Sequence, residues 1–147
     1  MVAPFVAHDR ALAALPAGHP LAARDRIALA DLAGEEFVFY ARDSGPAVYD
    51  RIVGHCLAAG FTPRITQDAL DVQTIVALVA ARVGVSLLIA PPPHGDERAV
   101  VFRPLPDDLP PWKMALAWSP VNRSRVLARL LGTVSIYAGD RSDAGVR

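Results

Sequence analysis

Two short polar stretches of the chain carry side chains that could bind a small molecule. Residues 42–46 (RDSGP) and 70–74 (LDVQT) each follow an apolar run and precede an amphipathic one. Together they offer hydroxyl groups, an amide and a guanidinium, which recognise ligands by hydrogen bonds and charge. Helix capping explains the same residue types, because Ser44 and Asp71 can accept bonds from the free N–H groups of a helix start. The residues alone leave ligand binding and capping evenly balanced.

The histidines and the single cysteine do not form a catalytic or metal-binding pattern. His8, His19, His55 and His94 are far apart, and His55 and Cys56 point to different faces of one predicted helix. His19 has no neighbouring nucleophile or orienting partner, so we interpret it as a loop histidine at a crossing between two lobes. Cys56 lies in an apolar stripe, which indicates a buried, inert thiol. Hydrolase, phosphate-loop and dinucleotide-binding motifs are absent from the sequence, and we predict no catalytic residue, no metal and no cofactor.

The composition indicates a globular chain without a strong charge. Of 147 residues 52% are hydrophobic, and 15 basic residues balance 15 acidic ones. This balance predicts no direct DNA binding, because nucleic-acid surfaces carry an excess of lysine and arginine. The first residues lack the pattern of a signal peptide, and no apolar run reaches the ~20 residues of a membrane helix. We therefore expect a cytoplasmic chain that does not contact a membrane.

The elements that must position the two polar stretches alternate between strands and helices. Strands are predicted at 10–15, 36–40, 63–67, 84–90, 98–105 and 112–118, and helices after residues 45, 71 and 122. Pro46 suits a first helical turn and Gly60 suits a helix end. The alternation over residues 25–89 predicts a parallel α/β sheet. Ligands bind such sheets at the carboxyl ends of the strands, so both polar stretches should lie at one edge if their strands are neighbours.

The order of motifs resembles the effector-binding region of LysR-type transcriptional regulators. Residues 15–38 (LPAGHPLAARDRIALADLAGEEFV) contain the His-Pro-Leu-Ala loop and the Asp-Leu short helix that lead into the second subdomain in that family. Residues 58–88 are similar to its Gly-Phe-x-Pro strand, Leu-Val-Ala helix and Gly-Val strand. Residues 100–105 (VVFRPL) and 114–120 (MALAWSP) resemble the return to the first subdomain. Each motif alone is weak, but the ordered series over about residues 11–131 is specific.

The resemblance implies an α/β fold of the periplasmic-binding-protein type 2, with one complete lobe plus the C-terminal strand and helix of the other. Residues 10–138 would form a partial effector-binding domain, with 21–92 as the second subdomain, 10–20 and 98–138 as remnants of the first, and 139–147 as a flexible tail. The family's winged helix-turn-helix is not among these residues. We therefore expect a small-molecule sensor that does not bind DNA by itself and that forms homo-oligomers through the uncovered apolar faces of the incomplete lobe.

The resemblance also favours ligand binding at the two polar stretches, because the corresponding loops line the family's cleft. It implies effector-binding positions at Arg42, Ser44, Gly45, Asp71, Gln73, Thr74 and Ile89. Arg42 would suit an anionic effector, although Asp43 and Asp71 offset that preference. Two positions depart from the family pattern. Arg82 replaces a glycine, at a cost of ~1–2 kcal/mol if its backbone is left-handed, and Ile89 replaces a proline beside the expected pocket.

Two other functions fit the same residues. The chain could be a stand-alone small-molecule-binding module, or an enzyme on the same kind of fold. A winged-helix reading frame directly upstream of Met1 would distinguish a regulator from a stand-alone module. The sequence argues against the enzyme, because it offers neither an acid–base pair nor a nucleophile motif.

Overall fold

The structure, a computed structural model, describes residues 7–89, 98–105, 109–110 and 112–142. The chain divides into two units, Arg10–Pro110 and a smaller unit made of Met1–Asp9 with Pro111–Arg147. Among the described residues, no helix has both the length and the apolar character needed to cross a bilayer.

Strands and helices alternate along the larger unit, as the sequence predicted. Its strands are β2 (Leu12–Pro16), β3 (Glu36–Tyr40), β4 (Arg64–Ala69), β5 (Ser86–Leu88) and β6 (Val100–Pro104), and its helices are α1 (Pro46–Ala58) and α2 (Val72–Ala80). Short 3₁₀ turns form at Pro20–Ala23, Leu29–Leu32 and Arg42–Ser44. The smaller unit contains β1 (Ala7–Asp9), β7 (Trp112–Met114) and α3 (Arg125–Ser142), with β1 antiparallel to β7.

The strands of the larger unit follow the order β4-β3-β5-β2-β6. The strands β3 and β4 are parallel, and β2 pairs antiparallel with both β5 and β6. A parallel bridge between Phe37 and Val85 joins the two sets, with Val38 N–H donating to the Val85 carbonyl at 2.9 Å. Gly84 permits this approach, because a Cβ there would lie 2.5 Å from the Glu36 carbonyl oxygen. The carboxyl ends of β3, β4 and β5 therefore share one edge.

Strand β3 is buried on both faces because helices cover both sides of the sheet. Val38 belongs to a buried cluster with Ile75 and Val79, which lie four residues apart on α2. The opposite face presents the Phe39 ring, whose centroid lies 6.0 Å from that of Tyr49 on α1. Side chains along β3 point alternately to the two faces of the sheet, and the apolar side chains of α2 lie on one face of that helix. Apolar side chains therefore pack in two separate layers, one on each face of β3.

The pairing of β2 differs from the sequence-based expectation. Residues 10–20 and 98–138 were assigned to a different lobe from 21–92, yet β2 and β6 lie in the Arg10–Pro110 unit with β5. The side chains of Ala13, Ala14 and Leu15 are fully buried there. Strand β2 is thus held by partners distant in sequence, which local sequence patterns do not reveal. The naming of the subdomains as those of the family stays a prediction.

Element boundaries differ at several places. Helix α3 reaches Ser142, so residues 139–142 are helical rather than part of a tail, and 143–147 lie outside the described residues. Strand β5 is limited to Ser86–Leu88, and β4 extends to Ala69. The antiparallel pair of β1 and β7 was not predicted. His94 and the Pro91–Pro93 stretch lie outside the described residues.

Candidate functional site

Three loops meet at the carboxyl edge of the parallel strands. The loop after β3 contains Arg42, Ser44 and Gly45, the loop after β4 contains Asp71, and Ile89 directly follows β5. The register pairs Tyr40 with Ala69, and Ala41 N–H continues this ladder by donating to the Ala69 carbonyl at 3.0 Å. The predicted neighbourhood of the first two loops is therefore confirmed. That an effector binds there stays a prediction.

The side chain of Arg42 is already engaged by a carboxylate. Its Nε donates to Oδ1 of Asp50 at 2.8 Å and its Nη2 donates to Oδ2 at 3.1 Å. This fork holds the pKa of Asp50 below its usual value, chiefly through the hydrogen bond from Arg42. At the carboxyl edge the charge of Arg42 is therefore neutralised by Asp50. This ion pair weakens the prediction of an anionic effector, which relied on the charge of Arg42.

The start of α1 leaves the hydroxyl of Ser44 uncommitted. Gly45 occupies the N-cap position and Pro46 the first helical position, and no side chain caps this helix. Ser44 is exposed, and its hydroxyl has no hydrogen-bond partner among the described residues. The structure therefore does not support the alternative that Ser44 serves only as a helix cap.

The start of α2 is capped as the sequence predicted. Asp71 accepts hydrogen bonds from the backbone N–H of Thr74 at 2.8 Å and from its hydroxyl at 2.9 Å. These bonds lower the pKa of Asp71, the backbone bond contributing most. Gln73 lies one residue before Thr74, exposed, and its amide has no partner in the described part of the chain. Of the predicted side chains, Ser44 and Gln73 are thus the ones free to bind a ligand.

Tyr40 is a member of this edge that the sequence reasoning missed. It ends β3 half-buried, and its pKa is raised by burial and then by the negative charge of Asp71. The carboxylate at the start of α2 is therefore close enough to influence the phenol at the end of β3. A signal existed, since Tyr40 is the polar-tipped last residue of an otherwise apolar strand.

Ile89 supplies an apolar wall beside these groups. It is half-buried and directly follows β5, at the same end of the sheet as Tyr40. The family-like proline is absent at this position, and residues 90–97 lie outside the described residues.

The most reactive side-chain types do not assemble into a catalytic group. Burial raises the pKa of Cys56 to about 11, so its thiol is protonated at neutral pH. Burial and the nearby charge of Arg51 lower the pKa of His55. Within the described ranges, no cluster of three histidine, cysteine or acidic side chains could hold a metal ion.

His19 has a structural role in the loop after β2. Its Nδ1 accepts from the backbone N–H of Leu21 at 3.2 Å, which caps the short 3₁₀ turn, and its Nε2 lies 3.3 Å from Oε1 of Glu35. Both ring nitrogens are therefore occupied. His19 lies inside the Arg10–Pro110 unit and not at a crossing between the two units.

A cavity of about 430 Å³ lies at the opposite, amino edge of the parallel strands. Its wall combines glycines with charged side chains, among them His19, Glu35, Glu36, Arg64 and Arg82. Arg64 pairs with Glu36 at 3.1 Å. Sequence reasoning missed this cavity, because its residues come from four separate loops and strand starts that only the sheet topology brings together.

Comparison with known proteins gives consistent matches. The model of the LysR substrate binding domain matches residues 2–135. The HTH-type transcriptional regulator YnfL of Escherichia coli K12 is 41% identical over 85 residues, which cover 58% of this chain and 29% of that protein. This chain thus spans less than a third of that curated relative.

Solved structures support the same fold. The C-terminal domain of a probable LysR family transcriptional regulator from Rhodococcus sp. RHA1 superposes with a TM-score of 0.78 at 28% identity, over 92% of this chain and 67% of that one. The effector binding domain of QuiR in complex with shikimate has a TM-score of 0.70 at 16% identity, over 99% of this chain and 68% of that one. These likenesses confirm the predicted periplasmic-binding-protein type of α/β fold.

Proposed function

The chain belongs to the LysR substrate binding domain family, and from this premise we propose that it is the effector-sensing part of a transcriptional regulator. Its role would be to bind a small molecule and to pass the bound state to a DNA-binding domain. YnfL, one of the curated relatives, is named as an uncharacterized HTH-type transcriptional regulator, which supports this proposal.

The shared carboxyl edge of β3, β4 and β5 is the observation that carries the proposed site. It brings together the free hydroxyl of Ser44, the free amide of Gln73, the phenol of Tyr40 and the apolar Ile89. Ligand sites typically combine an apolar wall with a few polar groups that fix the orientation of the ligand. This edge has that composition.

The charges of this edge favour an effector that binds through hydroxyl or carbonyl groups. Arg42 is neutralised by Asp50, while the donors to Asp71, chiefly those of Thr74, are uncharged. A negatively charged effector would therefore meet the carboxylate of Asp71 without a free cation from Arg42. We propose that Ser44 and Gln73 supply the specific hydrogen bonds.

Shikimate is a suitable first probe, because it is the ligand of the QuiR domain, which shares this fold. We expect isothermal titration calorimetry of the whole chain against shikimate and other polyhydroxylated ring compounds to yield at least one binder. Ser44→Ala and Gln73→Leu should each weaken that binder about 5- to 100-fold, since a lost buried hydrogen bond costs ~1–3 kcal/mol.

Ser119→Ala is the matched control, because Ser119 is an exposed serine that belongs to the other unit. It should leave the affinity unchanged. Equal affinity of the Ser44→Ala and Gln73→Leu variants with the unmodified chain would contradict the proposed site, whatever the ligand.

A regulator role also defines the expected partners. We propose that the chain acts in the cytoplasm as a homo-oligomer and does not bind DNA by itself. Exposed apolar side chains in the smaller unit, Val121, Val126 and Leu130, support association. Light scattering should give a mass above the 15.7 kDa of one chain, and gel-shift titrations at physiological salt should give no sequence-preferring complex. A sharp monomer, or a discriminating DNA complex, would contradict these expectations.

The two alternative functions make different predictions. A stand-alone binding module would lack a winged-helix reading frame upstream of Met1 in its genome. An enzyme would need a reactive group, and the one thiol is buried with its pKa raised to about 11. Membership of a regulator family favours the sensor over both alternatives.

A further inference from the structure

The cavity at the amino edge of the sheet is separate from the proposed effector site. It is lined by the end of β2 and by the starts of β3, β4 and β5, whereas the effector site lies beyond the other ends of β3, β4 and β5. A volume of about 430 Å³ lies within the ~300–1,000 Å³ of small-molecule sites. A ligand could occupy this cavity whether or not the proposed function is correct.

Internal pairing neutralises one acidic and one basic side chain in the wall of this cavity. Glu36 and Arg64 neutralise each other at 3.1 Å. Nδ1 of His19 accepts a hydrogen bond from the Leu21 N–H at 3.2 Å, and its Nε2 lies 3.3 Å from Oε1 of Glu35. Of the two acidic side chains in this wall, Glu35 is thus the one without an arginine partner among the described residues.

Arg82 supplies the matching positive charge. Its guanidinium lies against the backbone of Gly18, where an added Cβ would be 3.1 Å from Nη2. In the part of the chain that the structure describes, this guanidinium makes no hydrogen bond or ion pair. Its planar set of N–H donors is thus available to a carboxylate, which it can bind through two parallel bonds.

The backbone of Arg82 is a second, independent indication. Its φ of +61° makes it the one non-glycine residue with positive φ among those described. Such a conformation is strained for a side chain with a Cβ, and strained residues concentrate at binding sites. A glycine would adopt this backbone conformation without strain, so the arginine side chain is present at a cost in folding stability.

We propose that this cavity binds a small zwitterion of the α-amino acid class. The carboxylate of the ligand would bind the guanidinium of Arg82, and its ammonium group would bind the carboxylate of Glu35. A ligand with only one of the two charges would make only one of these two interactions.

Three related probes separate these contributions: L-alanine, propionate, which lacks the ammonium group, and ethylammonium, which lacks the carboxylate. Amide chemical shifts of the whole ¹⁵N-labelled chain would be followed during each titration. We expect saturable shifts at Gly18 and Gly84, with L-alanine binding about tenfold or more tightly than either single-charge probe.

Four variants identify the groups responsible. Arg82→Gly and Arg82→Gln should each weaken L-alanine binding about 10- to 100-fold, since a charge-assisted hydrogen bond is worth ~1.5–3 kcal/mol. Glu35→Gln should lower the affinity for L-alanine to that for propionate and leave propionate unaffected. Arg24→Gln is the charge-matched control, because Arg24 pairs with Asp31 away from the cavity wall, and it should change nothing.

The proposal is overturned if L-alanine binds no better than propionate and ethylammonium. It is equally overturned if both Arg82 variants retain the original affinity, or if the shifts avoid Gly18 and Gly84. Because Ser44 and Gln73 do not line this cavity, their variants test the effector site independently, and either site can fail without the other.

Discussion

Arg42 and Asp50 form a two-point ion pair between the turn that precedes α1 and the helix itself, with N–O distances of 2.8 and 3.1 Å. Both side chains are more than half exposed, so water screens the pair and its contribution to stability is small. Its greater effect is on recognition, because the cation in the loop after β3 is already paired.

The first prediction concerns the titration of Asp50. Arg42 holds the pKa of Asp50 below its usual value, so Arg42→Gln should raise that pKa toward the usual value. A depressed carboxyl pKa contributes stability above the unfolded-state pKa, which is lost as the pH falls through the folded-state value. Carboxyl ¹³C shifts measured against pH would report the change, and an unchanged Asp50 curve in the variant would contradict the ion pair.

The second prediction concerns the backbone of Arg82. Arg82 and Gly60 follow α2 and α1 in equivalent positions, each donating its N–H to a carbonyl three residues earlier, and both have positive φ. Arg82→Gly should therefore stabilise the fold by ~1 kcal/mol, since relief of the left-handed strain exceeds the added chain entropy. Urea unfolding would measure this change.

Gly60→Ala is the reciprocal variant. A Cβ at Gly60 meets no atom within 4 Å, so its cost is conformational alone, and the variant should be destabilised by ~1 kcal/mol. If both variants shift the urea midpoint in the same direction, the left-handed geometry at these helix ends does not control stability.

The third prediction separates the two bonds that Asp71 accepts. Asp71→Ala removes the cap of α2 and should lower the urea midpoint. Thr74→Val removes only the hydroxyl bond and should lower it less, because the backbone N–H bond to Asp71 persists. If Thr74 also binds the effector, Thr74→Val should weaken binding by more than its small effect on stability explains, and calorimetry on the folded variant would measure this.

Low pH should weaken the Asp71 cap of α2. The bonds from Thr74 lower the pKa of Asp71, so the cap is intact above the usual aspartate pKa and is lost as the pH falls through the depressed value. The stability difference between the unmodified chain and Asp71→Ala should therefore shrink in acid. A difference independent of pH would show that the charged carboxylate is not responsible.

The fourth prediction concerns the thiol of Cys56. It is fully buried and its pKa is raised to about 11. The lower thiolate fraction alone should slow its reaction with a disulfide reagent at neutral pH on the order of 100-fold, and burial should slow it further. Reaction at the same rate in native buffer and in denaturant would contradict the buried position.

Local patterns in the sequence identified the elements whose contacts are local. A short apolar run predicted β3 over its full length, Pro46 marked the first position of α1, and Asp71 was recognised as the cap of α2. The position of β2 was missed because it is set by pairing with β5 and β6, and no residue near Leu12 encodes those distant partners.

The candidate site was predictable where it depends on strand order, and it was not predictable where it depends on hydrogen-bond partners. Strand order placed the loops of Ser44 and Asp71 at one edge, as expected from parallel neighbours. Which side chains are free was not predictable, because the partner of Arg42 lies eight residues away and the hydroxyl of Thr74 bonds within its own turn. Hydrogen-bond partners depend on three-dimensional distances that composition and spacing do not contain.

The place of β2 between β5 and β6 also governs how the chain can fold as it is made. Leu12 pairs with Leu88 and Pro104, so the ribosome must synthesise most of the Arg10–Pro110 unit before β2 meets either partner. At 5–20 residues per second this interval lasts roughly 4 to 15 seconds. During that time three consecutive residues that end fully buried, Ala13 to Leu15, stay exposed on the nascent chain. The first strand of the unit to be synthesised is thus one of the last to be covered.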